Sequence, residues 1–376
     1  MNKKILMVAT YGDFFASFEV NNIKILNQLG YEVHLCANWE NTKYNYKHEK
    51  LEGLKFKKIN IHFDRSPFSL KNLINYKKLS RLMKYENYKM VDCHNAVIGA
   101  YSRIAAKVNN VEKIMYTAHG YQFFKGGKLL DWVLYYPIEK ILSNWTDELV
   151  VINKEDFHLA KKRMKAKRID VIPGVGFDYD KFKVNTVNVK EKKKEVGIPL
   201  NSFVILSVGE LSKRKNHEVI IRAISKIDKL DIYYIIAGQG SQYASLRNLS
   251  KKLGIEDRVK LLGHRDDIRE LNAISNIAAF PSKREGLGIA ALESLAAGLP
   301  LISSNVQGIK DYSIDGITGF TCHPEDIEKF AEHILRLYSD EKLVKLLSEN
   351  GRKISTEFSI GKVSLLMQEI YETILS

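Results

Sequence analysis

The sequence predicts an α/β protein built from two parallel-sheet domains, and three observations carry that prediction. Short apolar runs alternate with stretches of helical period along the whole chain, the pattern of repeated strand–helix–strand units. A wholly apolar strand followed by a glycine turn and a helix opens the second half at Phe203 much as Lys3–Thr10 opens the first. The length of 376 residues exceeds what one hydrophobic core usually organises. The domains are therefore expected at 1–182 and 183–359, with a last helix over 360–376.

In the first domain, Lys3–Thr10 reads as a strand and Tyr11-Gly-Asp-Phe-Phe15 as the loop at its carboxyl end. A helix from about Glu19 to Leu29 stops at Gly30 and leads to the strand Glu32–Asn38. Short links of this kind imply a right-handed parallel unit. In open parallel sheets ligands lie beyond the carboxyl ends of the strands, which makes Tyr11, Gly12 and Asp13 a candidate wall of a binding cleft. Residues 40–66 are polar and basic. From Pro67 to Glu86 the period is helical, with Lys71, Lys77, Lys78, Arg81 and Lys84 on one side and Leu70, Leu73, Ile74 and Leu82 on the other. Such a helix suits packing on the sheet or lying on a membrane. The strands Val91–Asn95 and Lys113–His119 flank a helix near Val97–Lys107. His119, followed by Gly120, then stands at the rim of the cleft. Leu129 to Trp145 is dense in aromatics, which fits burial or a membrane interface. Leu149–Asn153, a lysine-rich helix and Ile169–Pro173 close the domain.

In the second domain, residues 183–201 read as a surface linker or short helix before the strand Phe203–Gly209. The next turn holds Lys213, Arg214 and Lys215 in succession at a strand's carboxyl end, where a diphosphate is neutralised. A helix near Glu218–Lys226, a buried strand Ile232–Ala237 ending in Gly238-Gln-Gly240, and the strand Val259–Gly263 follow. A lone Gly-x-Gly does not specify a nucleotide loop.

The most informative stretch is Phe280 to Asn305. A strand from Ile277 to Pro281 runs into a turn with Glu285, Gly286 and Gly288. A helix from about Leu287 to Ala297 is then stopped by Gly298-Leu-Pro300, and a strand follows at Leu301–Ser304. The glycines let the backbone approach a ligand. The helix start presents N–H groups and positive dipole charge, a setting for an anion such as a diphosphate. Glu293 sits among alanines and leucines, where a carboxylate needs hydrogen-bond donors, and sugar or ribose hydroxyls supply them.

This spacing of Glu285 and Glu293 resembles the E-x7-E signature of retaining, nucleotide-sugar-dependent glycosyltransferases of family 4, and the resemblance spans nearly the whole chain. It implies the GT-B fold, two Rossmann-like domains facing across a cleft, with the C-terminal helix 360–376 crossing back to the first. It implies a hexosyl- or N-acetylhexosaminyltransferase acting on a nucleotide-diphosphate sugar, with uridine the family's frequent base. In such a site Glu293 accepts bonds from ribose and Glu285 from the donor sugar. Gly286, Leu287, Gly288 and Ile289 hold phosphate and sugar through backbone N–H groups, and Lys215 with Arg214 offsets the charge on the departing diphosphate. His119 takes the family's place near the donor sugar. Tyr11, Gly12 and Asp13 fall in the acceptor loop, where only Gly12 matches the usual glycine pair. Glu210 stands where many members have an arginine. No metal and no cofactor are expected, and the Asp178-x-Asp180 pair, in an interdomain connection, is not read as a metal motif.

The net charge of +14 is uneven. Residues 1–183 hold 31 Lys+Arg against 19 Asp+Glu, and the remainder 27 against 25. A basic first half suits an anionic partner. It carries no nucleic-acid motif, so a membrane surface with a lipid-diphosphate-linked glycan acceptor is the expected partner, as in capsule, exopolysaccharide or O-antigen assembly. No apolar run approaches a membrane span, the N-terminal start reads as a strand rather than a leader, and Cys36, Cys93 and Cys322 form no disulfide or metal framework. A cytoplasmic protein on the inner membrane face follows by elimination. Two other classes share these features: a nucleotide-sugar epimerase of the same architecture, and a non-catalytic nucleotide-sugar-binding module.

Overall fold

The computed structural model describes residues 3–41, 48–183 and 187–376. Parts of two expected segments, 42–47 within the polar stretch and 184–186 within the linker, lie outside the described residues. The chain divides into one unit of Met1–Gly176 with Ile360–Ser376 and a second of Phe177–Ser359. That division falls earlier than residue 182.

The first unit is built on a seven-stranded, all-parallel sheet. Its elements are β1 (Lys4–Tyr11), α1 (Val20–Gln28), β2 (Glu32–Asn38), β3 (Phe56–Asn60), α2 (Lys71–Glu86), β4 (Met90–His94), α3 (Ala96–Val108), β5 (Lys113–Ala118), α4 (Leu129–Ser143), β6 (Glu148–Val151), α5 (Lys154–Arg163) and β7 (Arg168–Val171). The order β3-β2-β1-β4-β5-β6-β7 means that the chain builds outward from β1, then returns to lay β4 on its other side. Strand order reverses between β1 and β4, the place where such sheets bind ligands. β1 and β4 are buried almost end to end, as strands covered by helices on both faces must be. β3 is different: Phe-Lys-Lys-Ile-Asn is mostly exposed and lies at the sheet edge, so it lacks the apolar run that marks a central strand.

A buried ion pair ties α3 and α4 to the sheet. The Arg103 guanidinium donates to Glu139 at 2.8 Å and lies 3.8 Å from the Tyr116 ring centroid, while the Tyr116 hydroxyl donates to Glu139 at 3.2 Å. Arg103 also reaches the Gly99 carbonyl at 3.2 Å, so both buried charges have hydrogen-bonded partners. Removing one member of such a pair costs about 3–5 kcal/mol. The terminal helix α14 (Ile360–Leu375), whose inner face is Val363, Met367, Ile370, Tyr371 and Ile374, belongs to this unit. Tyr371 donates to Asp92 of β4 at 2.9 Å.

The second unit has α6 (Tyr179–Lys183), α7 (Val189–Glu195), β8 (Phe203–Val208), α8 (His217–Ser225), β9 (Ile232–Ala237), α9 (Tyr243–Lys252), β10 (Val259–Gly263), α10 (Ile268–Ala273), β11 (Ile277–Phe280), α11 (Ile289–Ala297), β12 (Leu301–Ser304), β13 (Gly319–Cys322), α12 (Ile327–Ser339) and α13 (Glu341–Ser355). Its parallel sheet runs β10-β9-β8-β11-β12-β13, with the reversal between β8 and β11. Ile205, Ile220, Ile224, Ile236, Phe330 and Ile334 centre a core of β-branched and aromatic side chains, each buried aliphatic side chain worth roughly 1.5–3 kcal/mol. Asp178 caps the short α6, its carboxylate accepting from the Lys181 N–H at 3.1 Å, a local structural use for the Asp-x-Asp pair.

Candidate functional site

Each unit gathers ionisable side chains at the point where its strand order reverses. In the second unit the loop after β8 and the loop after β11 meet there. Glycine makes the meeting possible: a side chain on Gly238 would strike the Gly209 carbonyl oxygen at 1.8 Å, and one on Gly308 would strike that of Gly286 at 1.9 Å. The Lys215 stem lies over Gly209, and its ammonium sits 4.9 Å from the Phe280 ring centroid. From there Lys215 donates to Glu285 at 2.5 Å, and Arg214 donates to the same oxygen at 3.1 Å. Burial alone pushes the Glu285 carboxyl up, but the Lys215 and Arg214 cations outweigh it and hold the group below the ordinary range. Glu210 reaches Arg214 at 3.7 Å, so the carboxylate in place of an arginine draws on the neighbouring cation. Lys213 is exposed.

α11 starts at Ile289, two residues later than expected at Leu287, behind Gly288 at φ +92°. No side chain caps it, which leaves first-turn N–H groups available to an anion. The carbonyls of Leu287 and Gly288 accept from the Tyr312 hydroxyl at 2.6 and 3.3 Å, and Gly308 donates to the Glu285 carbonyl at 3.3 Å. The Glu285–Gly288 turn is thereby held from both ends. Glu293, half-buried within α11, lies about one turn into the helix that follows this loop. The structure thus brings Arg214, Lys215, Glu285, Gly286, Leu287, Gly288 and Ile289 to one place. Gln307, beside Gly308, was not anticipated. It is 2% exposed, holds φ +33°, and neither its amide nitrogen nor its amide oxygen has a hydrogen-bond partner.

In the first unit the loops after β1, β4 and β5 converge. Asn95, at φ +62°, accepts from the Thr10 N–H at 3.0 Å and so ties the end of β1 to the end of β4. Tyr11 ends β1 and is half-buried, while Gly12 and Asp13 are buried. A side chain on Gly12 would enter the Trp39 ring at 2.2 Å, so this glycine has a packing reason of its own. The Phe15–Glu19 segment is a π-helical turn, a form that recurs at functional sites, and it ends with Glu19 directed inward. His119, just past β5, comes within 3.2 Å of His94, and Glu19 lies 3.7 Å from His94 and 3.9 Å from His119. Among the described residues these three bring one ligand atom each within 4.8 Å of one another. The Phe14 ring centroid is 5.1 Å from that of His119 and 5.3 Å from that of His94. Burial, with repulsion from Asp92, pushes the Glu19 carboxyl well up. Burial pulls the His119 imidazole down to about 4, and it pulls His94 well down, helped by His119.

His119 was therefore legible from the sequence, but its partners Glu19 and His94 were not. One signal was available: His94, like His119, closes a parallel strand at its carboxyl end. Glu19 carried no such mark, since it was read as an ordinary helix start.

Comparison with known proteins places this geometry. A family profile described as "Glycosyl transferases group 1" matches residues 188–354, and one described as "Glycosyl transferase 4-like" matches residues 4–153. EpsD of Bacillus subtilis (strain 168), which bears a glycosyltransferase name, is 34% identical over 99% of this chain and 97% of its own. The UDP-Gal:alpha-D-GlcNAc-diphosphoundecaprenol alpha-1,3-galactosyltransferase of Escherichia coli is 31% identical over 80% of this chain and 79% of its own. Among solved structures, Anabaena HepE in complex with UDP and glucose superposes with a TM-score of 0.81 at 18% identity, covering 99% of this chain and all of that one. That likeness is one of fold, and it identifies the two parallel-sheet units as GT-B architecture.

Proposed function

The chain belongs to glycosyltransferase family 4, and from that premise we propose that it transfers a sugar from a UDP-sugar to a lipid-diphosphate-linked glycan, with retention, in bacterial surface polysaccharide biosynthesis. The observation that carries the reading is the convergence of Lys215 and Arg214 on Glu285 beside the uncapped start of α11. Two cations and a helix N-terminus offset the charge that grows on a departing diphosphate, so no ion is required at that point. Preorganised donors of this kind act where charge develops, and here hydrogen bonds of 2.5 and 3.1 Å hold Lys215 and Arg214 on Glu285.

In this reading Glu285 accepts from the donor sugar's hydroxyls and Glu293 from the ribose. Gly286 to Ile289 supply backbone N–H groups, and His119 is assigned to the donor sugar. Tyr11, Gly12 and Asp13 are assigned to the acceptor side, with Tyr11 the most open of the three. The donor assignment is supported by the UDP found with HepE and the UDP-Gal in the name of the Escherichia coli relative. The same relative's name supports a lipid diphosphate as acceptor, and Staphylococcus aureus CapM, 25% identical over all of this chain, is named for capsular polysaccharide biosynthesis.

Peripheral attachment to the inner face of the cell membrane belongs to this proposal. Its support is the surface of the first unit, where Phe68, Leu70, Leu73 and Ile74 on and before α2, and Leu129, Leu130 and Val133 on α4, are exposed among lysines. Apolar side chains rimmed by cations suit an anionic lipid interface. No helix among the described residues is long and apolar enough to cross a membrane.

The test is a thermal-shift screen of UDP, GDP and ADP and their common sugars with EDTA present. A ligand that binds only the folded chain raises its Tm by mass action. A shift confined to the uridine series supports the donor assignment and an ion-free diphosphate site. No shift with any nucleotide overturns the reading of Lys215, Glu285 and Glu293.

A further inference from the structure

Glu19, His94 and His119 do more than lie near one another. The Glu19 Oε1, His94 Nδ1 and His119 Nε2 atoms form a triangle with edges of 3.2, 3.7 and 3.9 Å. Three corners of a tetrahedral site with these edges, about 3.6 Å on average, have a centre about 2.2 Å from each atom, close to the length of a zinc–imidazole or zinc–carboxylate bond. A hydrogen bond between the imidazoles accounts for one edge only; it gives no reason for the carboxylate to approach both nitrogens.

The far side of the cluster is built as well. The other oxygen of Glu19 accepts from Asn22 at 2.6 Å. The other nitrogen of His94 faces Asp92 at 3.5 Å, and Asp92 in turn accepts from Tyr371 at 2.9 Å. A carboxylate behind a histidine is the usual outer partner of a metal-bound imidazole, fixing its tautomer and raising its basicity. His94 Nε2 and Asp92 Oδ1 are buried without a hydrogen bond. Burial and Asp92 push the Glu19 carboxyl up while Asn22 donates to it, and a buried carboxylate needs a cation or a proton. The Phe14 ring packs against both imidazoles and makes that side of the cluster apolar.

We propose that Glu19, His94 and His119 form a site for a divalent transition-metal ion of the zinc class. Two imidazoles and one carboxylate select such an ion over magnesium or calcium, which take oxygen ligands. The His119 side chain is 18% exposed while the other two are 1% exposed, so the ion enters past His119 and its fourth position opens on that side. This ion is separate from the diphosphate, whose charge the transferase reading assigns to Lys215 and Arg214. Where that reading holds, His119 has only its Nδ1 left for the donor sugar, because Nε2 is committed inward.

The full chain, stripped with EDTA and freed of chelator, is titrated with Zn²⁺ and with Co²⁺. The expected result is about one equivalent bound per chain, a raised Tm, and for Co²⁺ the intense visible absorption of a four-coordinate nitrogen–oxygen site. Asp92→Asn, which keeps all three ligands, is expected to weaken binding about 10–100-fold, and His94→Ala to abolish the Co²⁺ spectrum. The spectrum of the unaltered chain decides the matter even if His94→Ala fails to fold. Absence of four-coordinate Co²⁺ absorption, or its persistence in a folded His94→Ala chain, overturns the site. A chain that binds UDP-sugars but no metal loses this inference alone; one that binds metal but no nucleotide loses the donor reading alone.

Discussion

Glu19 and Glu285 occupy corresponding places, each beside the reversal of strand order in its own unit, with Glu19 fully buried and Glu285 largely so. Their surroundings differ. Glu285 has two cations in hydrogen-bond contact and is held ionised, whereas Glu19 has neutral imidazoles and a second carboxylate and is pushed toward its protonated form. A buried carboxylate with its countercharge supplied by side chains is ready to meet polar hydroxyls. One without it is held as the neutral acid unless a cation is supplied from outside the polypeptide. The comparison teaches that the fold sets where polar groups collect, and the side chains facing them set what each collection can hold.

The largest expected effect breaks the second cluster. Lys215→Ala should lower the transfer rate by about 10²–10³-fold, the cost of one preorganised donor at a developing anion, while far-UV circular dichroism keeps the folded spectrum. Turnover equal to the parent chain would remove Lys215 from the chemistry.

A matched pair of glycine substitutions sharpens the contrast. Gly308→Ala drives a methyl group into the Gly286 carbonyl, backbone against backbone, and must displace the Glu285 turn. Gly12→Ala drives one into the Trp39 ring. Both should cost about 1–3 kcal/mol in denaturant unfolding. Only Gly308→Ala should also weaken nucleotide binding, read as a smaller thermal shift, and equal weakening by both would end the distinction.

Acid acts on both units more gently. A histidine whose folded pKa is depressed contributes stability present above its unfolded value and lost as pH falls toward the folded one. For His119 in the metal-stripped chain that window runs from 6.5 down to about 4. Glu285, also depressed, contributes stability above 4.5 that is lost only as pH falls through its lower folded value. His217 of the second unit, also buried and pulled down to about 4, shares the His119 window. The Tm of the metal-stripped chain should therefore fall as pH drops from 6.5 toward 4, and a Tm that holds steady over that range would contradict the assignment.

The smallest effect concerns Gln307. At φ +33° a non-glycine residue is strained, so Gln307→Gly should raise stability by about 1 kcal/mol. If the unpaired amide serves the donor, the same change lowers nucleotide affinity, and isothermal titration reads both parts of that expectation.

Local pattern in the sequence determined most of the architecture. Continuous apolar runs marked the central strands, Gly298 and Pro300 marked the end of α11, and Glu285 with Lys215 marked one cluster, because each signal lies within a few residues or one repeating motif. β3 and β13 escaped because neither contains a continuous apolar run. The membership of α6 and α14 depended on packing that the local sequence does not contain. Tertiary structure alone brought Glu19, His94 and His119 together from three separate segments, and Gln307 to the side of Gly286. Parallel strands are joined by long crossovers, so neighbours across a sheet's carboxyl edge are distant in sequence, and no spacing records that they meet.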